Sequence, residues 1–231
     1  MTIGFDVISD LNLKEGELFD WEGKPTSLFC LVAGNVSSDL KTVIRVLHHL
    51  SGQYQGVFYI DGTMEVNNPY ERDELVETIG KQCDKLHNVV YLHNNVVVVD
   101  GVAIVGINGW YKNFETNSAS DEMQIQTNFL DDLLYLQKTI ERLQLHVDVR
   151  KIVVISNCVP SNKLYFGEDV GVLSSITLDH VESSDTEHKI SHWVFATHGK
   201  IVDTTFNSIN YLNNPKHDRN PYHAKRIDVK L

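Results

Sequence analysis

Five short blocks hold the residues of this chain that could do chemistry: Asp10 with Asn12, Gly34-Asn35, Asp61-Gly62-Thr63-Met64-Glu65, Asn157-Cys158, and Thr197-His198-Gly199. Each follows or closes an apolar run, and α/β folds bind ligands just beyond the carboxyl ends of their strands. A carboxylate such as Asp10 can ligate a hard metal ion, whereas the amides of Asn12, Asn35 and Asn157 are weak neutral ligands. The Met64 thioether has no proton to give to a leaving group. Cys158 is the candidate nucleophile, because a thiolate attacks carbonyl and phosphoryl centres and also binds zinc. It needs a base within reach, and His198 is the candidate. A buried structural cysteine is the preferred reading of Cys158.

The elements that would position these blocks are legible as patterns. Apolar, β-branched runs at 5–8, 28–33, 56–60, 88–91, 96–99, 102–106, 151–156 and 192–196 read as strands, and their lack of polar alternation predicts burial on both faces. Helical periodicity predicts helices over 39–50, with Ser38 or Asp39 as N-cap, over 68–86, and over 121–145 through Phe129, Leu133, Leu136, Ile140 and Leu143. Asp131 and Asp132 are expected on the solvated face of that last helix. Asp100-Gly101 between valine-rich runs predicts a hairpin with a two-residue type I′ turn. Strands joined by helices, with a hairpin in the middle, imply a mixed sheet and an α/β fold.

In order and flanks the blocks resemble the calcineurin-like metallophosphoesterases, whose blocks read Asp-x-His, Gly-Asp, Gly-Asn-His-Glu, Thr-His-His-x-Pro-Ser and Gly-His-x-His and together hold two divalent metals. The resemblance also takes in 88–110 and 204–215, and so runs from residue 3 to about 215. It implies a four-layer α/β/β/α sandwich with mixed sheets. It also implies altered site positions. Asp10 stands at a ligand carboxylate and Asn12 at a ligand histidine. Asn35 replaces the bridging carboxylate, Thr63 the ligand asparagine and Met64 the catalytic histidine. Asn157 and Cys158 stand at two further histidines, Thr197 and Gly199 at two more, while Gly62 and Glu65 are kept. Two dications about 3.5–4 Å apart need bridging negative charge, and one retained ligand carboxylate does not supply it.

The expectation is therefore a catalytically inactive relative with no catalytic residue, metal or cofactor, used as a structural or protein-interaction module, as in a phage or bacterial assembly. One alternative is a rebuilt metal-dependent phosphoesterase around Asp10, with Glu65 and a histidine such as His198. Another is a cleft that holds a nucleotide or phosphate on backbone amides near Gly34 and Gly62.

Bulk composition narrows the partners. With 20 Lys+Arg against 31 Asp+Glu, a net charge of −11 repels a phosphate backbone, so no nucleic acid is expected. No apolar run of about 18 residues is present, so no membrane span is expected. Cys30, Cys83 and Cys158 lack metal or redox spacing. The N-terminal residues show no basic region followed by a cleavage motif, which leads to the expectation of a cytoplasmic protein, or of host cytoplasm or virion if of phage origin. A single domain over 1–231 is expected, with 216–231 a loosely packed polar tail. The partner is expected to be another protein or identical subunits.

Overall fold

The computed structural model describes residues 1–19, 24–66, 72–109, 119–165, 181, 183–196, 200–216 and 222–231. Its first sheet is built on parallel strands β1 (Thr2–Ile8), β2 (Phe29–Ala33), β3 (Gly56–Ile60) and β4 (Val89–Tyr91). The second contains β5 (Asn95–Val99), β6 (Val102–Ile107), β7 (Lys151–Ser156), β8 (Ile190–Phe195), β9 (Asp203–Phe206) and β10 (Ile209–Leu212), in the order β5-β6-β7-β8-β10-β9. Its inner strands β6, β7, β8 and β10 run parallel, and β5 and β9 close the two edges antiparallel.

The strands lack polar alternation because their inner members are covered twice. Phe5, Val7, Leu31 and Ile60 of the first sheet meet Val102, Ile104, Val153 and Val194 of the second in a central apolar layer. The opposite face of the first sheet packs on α1 (Leu40–Ser51) and α2 (Arg72–Cys83) through Val43, Leu47, Leu50, Ile79 and Cys83. The opposite face of the second packs on α3 (Ala119–Leu145) through Phe129, Leu136 and Ile140. The result is the expected four-layer α/β/β/α order. Helix α1 starts where Asp39 accepts hydrogen bonds from the Lys41 and Thr42 backbone N–H groups, a capping contact that satisfies otherwise orphaned donors. Gly106 sits where the chain passes between the sheets. A Cβ on it would lie 2.3 Å from Leu92 Cβ and 2.4 Å from Leu92 O, so only hydrogen fits.

Two expectations are corrected here. Residues 216–231 do not end in a loose tail: β11 (Lys225–Lys230) pairs antiparallel with β1 and extends the first sheet to the order β11-β1-β2-β3-β4. Alternation explains it, since Ile227 and Val229 face the core while Arg226, Asp228 and Lys230 face outward. Tyr222 is fully buried, and its hydroxyl donates to Asn214 O at 2.5 Å. The valine run 96–99 is likewise not buried on both faces. It lies in edge strand β5, where Val98 is 46% exposed. The Asp100-Gly101 turn is as expected, with φ of 49° and 87°, the type I′ geometry.

Candidate functional site

The loops that follow β1, β2, β3, β6 and β7 meet at the carboxyl ends of the two sheets. Three consecutive features of this rim use left-handed backbone: Asp10 (φ 48°), Asn12 (φ 48°), and Gly34 with Asn35 (φ 78° and 54°). Glycine, Asn and Asp tolerate that region best, so the amides here suit the loop geometry as well as the chemistry. Gly62 packs directly on the second loop. A Cβ there would lie 2.4 Å from both Asn35 N and Asn35 Oδ1.

Asn35 is the centre of the arrangement. Its Nδ2 donates to Asp10 Oδ1 at 2.9 Å, and its Oδ1 accepts from Met64 N at 3.1 Å and Thr63 Oγ1 at 3.3 Å. These neighbours fix the amide orientation, because a flipped amide would set oxygen against carboxylate and NH2 against N–H. Asn157 works in the same way: its Oδ1 accepts from Thr63 N at 3.2 Å, joining the loop after β7 to the loop after β3. Asn12 Nδ2 donates to Asp10 O at 3.2 Å. Asp10, Asn12, Asn35, Thr63, Met64 and Asn157 are thus brought together. Cys158 is adjacent and buried, with its backbone N–H donating to Asn108 O at 3.1 Å. Thr197, His198 and Gly199 lie outside the described residues, as does any pairing of His198 with Cys158.

Glu65 ties two loops from behind. Its Oε1 accepts from Val36 N at 2.6 Å and Ser37 N at 3.4 Å, and its Oε2 from Gly62 N at 2.9 Å and Asn35 N at 3.1 Å. Burial pushes its carboxyl up to about 7 against the pull of those donors, and nearby Asp61 adds to the rise. The backbone amides near Gly34 and Gly62 that a phosphate would need therefore already face a carboxylate. For the same reason both Glu65 oxygens are spent within the protein.

A second buried polar group lies beneath the rim. Asp61 Oδ1 accepts from Tyr91 OH at 2.7 Å and meets His93 Nδ1 at 3.1 Å, while Asp61 Oδ2 accepts from Asn108 Nδ2 at 2.9 Å. His93 Nε2 lies 3.2 Å from Arg72 Nη2, and Arg72 pairs with Asp132 Oδ1 at 2.7 Å. Asp132 also accepts from Asn94 Nδ2 and Gly109 N. Desolvation by itself would raise the Asp61 carboxyl, but His93, Tyr91 and the Arg72 charge outweigh it and hold it at about 2. Asp61 therefore contributes stability above its ordinary value of 3.8 that is lost as pH falls toward about 2.

This group corrects the expectation that Asp132 lies on a solvated helix face: it is fully buried. Sequence could have signalled it, since 132 falls three residues after Phe129 and four before Leu136, on the core stripe of α3. The partners Arg72 and His93 carry no comparable local signal.

The donor set does not fit two metals. Of the described positions that the resemblance makes metal ligands only Asp10 offers a carboxylate, and one of its oxygens is engaged by an amide N–H; the Glu65 carboxylate is taken up by backbone N–H groups. Among the described residues, no three His, Cys, Asp or Glu side chains converge as a metal cluster.

Solved structures agree on the architecture. The fold is metallophosphoesterase-like. Phosphopantetheinyl hydrolase from Mycobacterium tuberculosis superposes with a TM-score of 0.69 at 15% identity, covering 96% of this chain and 95% of the other. A candidate 5′-nucleotidase from Staphylococcus aureus, in complex with alpha-ketoglutarate, gives 0.55 at 12% identity over 100% of this chain and 51% of its own. GAP50, the anchor in the inner membrane complex of Plasmodium, gives 0.52 at 10% identity over 93% and 72%. At these identities the likeness is one of fold. No family model matches the sequence, and no curated protein matches it. No helix among the described residues is long and apolar enough to cross a membrane.

Proposed function

We propose that this chain is a catalytically inactive protein on a metallophosphoesterase-like scaffold, serving as a structural or protein-interaction module of a bacterial or phage assembly. The observation that carries the proposal is the Asn35 amide, which donates to Asp10 at 2.9 Å where the resemblance calls for a bridging carboxylate. An amide N–H directed at the retained carboxylate occupies it with a positive dipole, so the loops are joined by hydrogen bonds where a dinuclear enzyme joins them by metal. The Met64 position has no proton to donate, which removes general acid catalysis as well. That the same fold serves in GAP50 as an anchor supports a non-catalytic use here. A net charge of −11 disfavours nucleic acid as the partner.

The test is hydrolysis of a chromogenic phosphodiester with added Mn²⁺ or Zn²⁺. Wild type is expected to match Asp10→Ala at the uncatalysed background. Turnover that Asp10→Ala abolishes would instead establish the alternative, a metal-dependent phosphoesterase rebuilt around Asp10.

A further inference from the structure

At the amino ends of β8 and β10, away from the loop rim at the carboxyl ends, lies a cavity of about 430 Å³. That is the lower end of the size range of small-ligand pockets. Buried Val181 and the first residues of the two strands, Ile190 and Ile209, give it an apolar wall. Its exposed lining is polar, from His188 and from Asn207 and Ser208 of the β9–β10 turn.

Asp185 also lines the cavity and is only 6% exposed. Its carboxylate is held by backbone N–H groups alone: Oδ1 accepts from Lys189 at 2.9 Å and Ile190 at 3.3 Å, and Oδ2 accepts from Ile190 at 3.2 Å. Two donors leave acceptor capacity on a group with about four lone-pair sites. Among the described residues no cation pairs with it. The neighbouring Lys189 ammonium is spent on the carbonyls that end α3, donating to Leu143 O at 3.0 Å, Gln144 O at 2.8 Å and His146 O at 3.2 Å. A buried carboxylate without a counter-charge is costly, and a bound cation offsets that cost.

We propose that this cavity binds a guanidinium group, with Asp185 as its counter-ion. The planar guanidinium fork meets a carboxylate through two parallel N–H bonds. It is more weakly hydrated than an ammonium, so it loses less on moving against the apolar wall, and it stacks on aromatic rings such as the His188 imidazole. The side-chain oxygens of Asn207 and Ser208 are neutral acceptors for its remaining N–H groups. The net charge of −11 draws cations toward the protein. An arginine side chain of a protein and a small free guanidine offer the same chemistry. No residue of the loop rim lines the cavity, so binding here holds or fails independently of the catalytic reading.

Isothermal titration calorimetry of the full chain with arginine amide should show saturable binding. Citrulline amide, in which a neutral urea replaces the guanidinium, should show none. Asp185→Asn keeps an acceptor for the loop N–H groups and should weaken binding roughly tenfold or more. Position 207 is exposed and tests the charge without touching the loop that Asp185 holds: Asn207→Asp should tighten binding roughly threefold and Asn207→Lys should weaken it as much. Agmatine binding tighter than a blocked Gly-Arg-Gly peptide assigns the site to a free guanidine, and the reverse order assigns it to an arginine of a protein; either upholds the proposal. No saturable binding of arginine amide, equal binding of citrulline amide, or binding unchanged in a folded Asp185→Asn or in both variants at 207 overturns it.

Discussion

Glu65→Gln is expected to unfold more readily than any substitution on the exposed rim, at a cost of roughly 2–6 kcal/mol. The side chain keeps its size, but the new NH2 group faces two of the backbone N–H donors that Glu65 now accepts, from Asn35 and Gly62 or from Val36 and Ser37. Each buried donor left without an acceptor costs about 1–3 kcal/mol. The cost should also depend on pH. The Glu65 carboxyl is raised to about 7 from its ordinary 4.5, so its contribution is fully present below pH 4.5 and lost as pH rises through 7. That loss amounts to about 3 kcal/mol at most, and the glutamine variant lacks it. Urea denaturation should therefore show the largest difference between wild type and Glu65→Gln near pH 5 and a smaller one near pH 8. Equal stabilities at pH 5 would remove Glu65 from its place as the tie between the loops.

Asn35→Asp should be the second most damaging change, by roughly 2–4 kcal/mol at pH 7. It keeps the shape of the side chain and replaces the N–H that meets Asp10 Oδ1 at 2.9 Å with a second carboxylate oxygen. Two carboxylates at that distance cannot both ionise, and one of them is raised. A raised acid contributes stability at low pH and loses it as pH rises, so the defect should be greatest at neutral pH and shrink on acidification, where a shared proton restores the bond. Adding Asn157→His rebuilds more of a ligand set, and that double variant should melt lower in chelator than wild type does. A double variant that melts higher than wild type in chelator would contradict the idea that amides stabilise this site without metal.

The fold was legible where single strands and helices carry strong periodicity. Runs such as 56–60 and 151–156 became β3 and β7 without adjustment, because strands buried on both faces are apolar at every position. It was less legible at the edges. In 225–230 the alternation of Ile227 and Val229 with charge was masked by the basic composition of the terminal stretch, and in 96–99 four valines looked like an interior strand. Both errors have one cause: whether a strand is central or marginal is decided by sheet order, which local pattern does not encode.

The candidate site divides in the same way. The convergence of Asp10, Asn35, Thr63 and Asn157 followed from strand ends that share one side of an α/β fold. The roles of their amides did not, because an asparagine in isolation reads as a lost ligand rather than a bridge between loops. The pairing of Arg72 with Asp132 spans 60 positions and joins the first residue of α2 to α3, which belong to opposite outer layers. No spacing rule reaches that far.

Elemental analysis of the natively purified chain, beside Asp10→Ala, tests most directly whether hydrogen bonds have taken the place of metals. Less than one metal per chain, unchanged by Asp10→Ala, is the expected result, because the Asn35 amide engages one oxygen of the Asp10 carboxylate and supplies no bridging charge beside it. Two metals per chain, lost in Asp10→Ala, would contradict it.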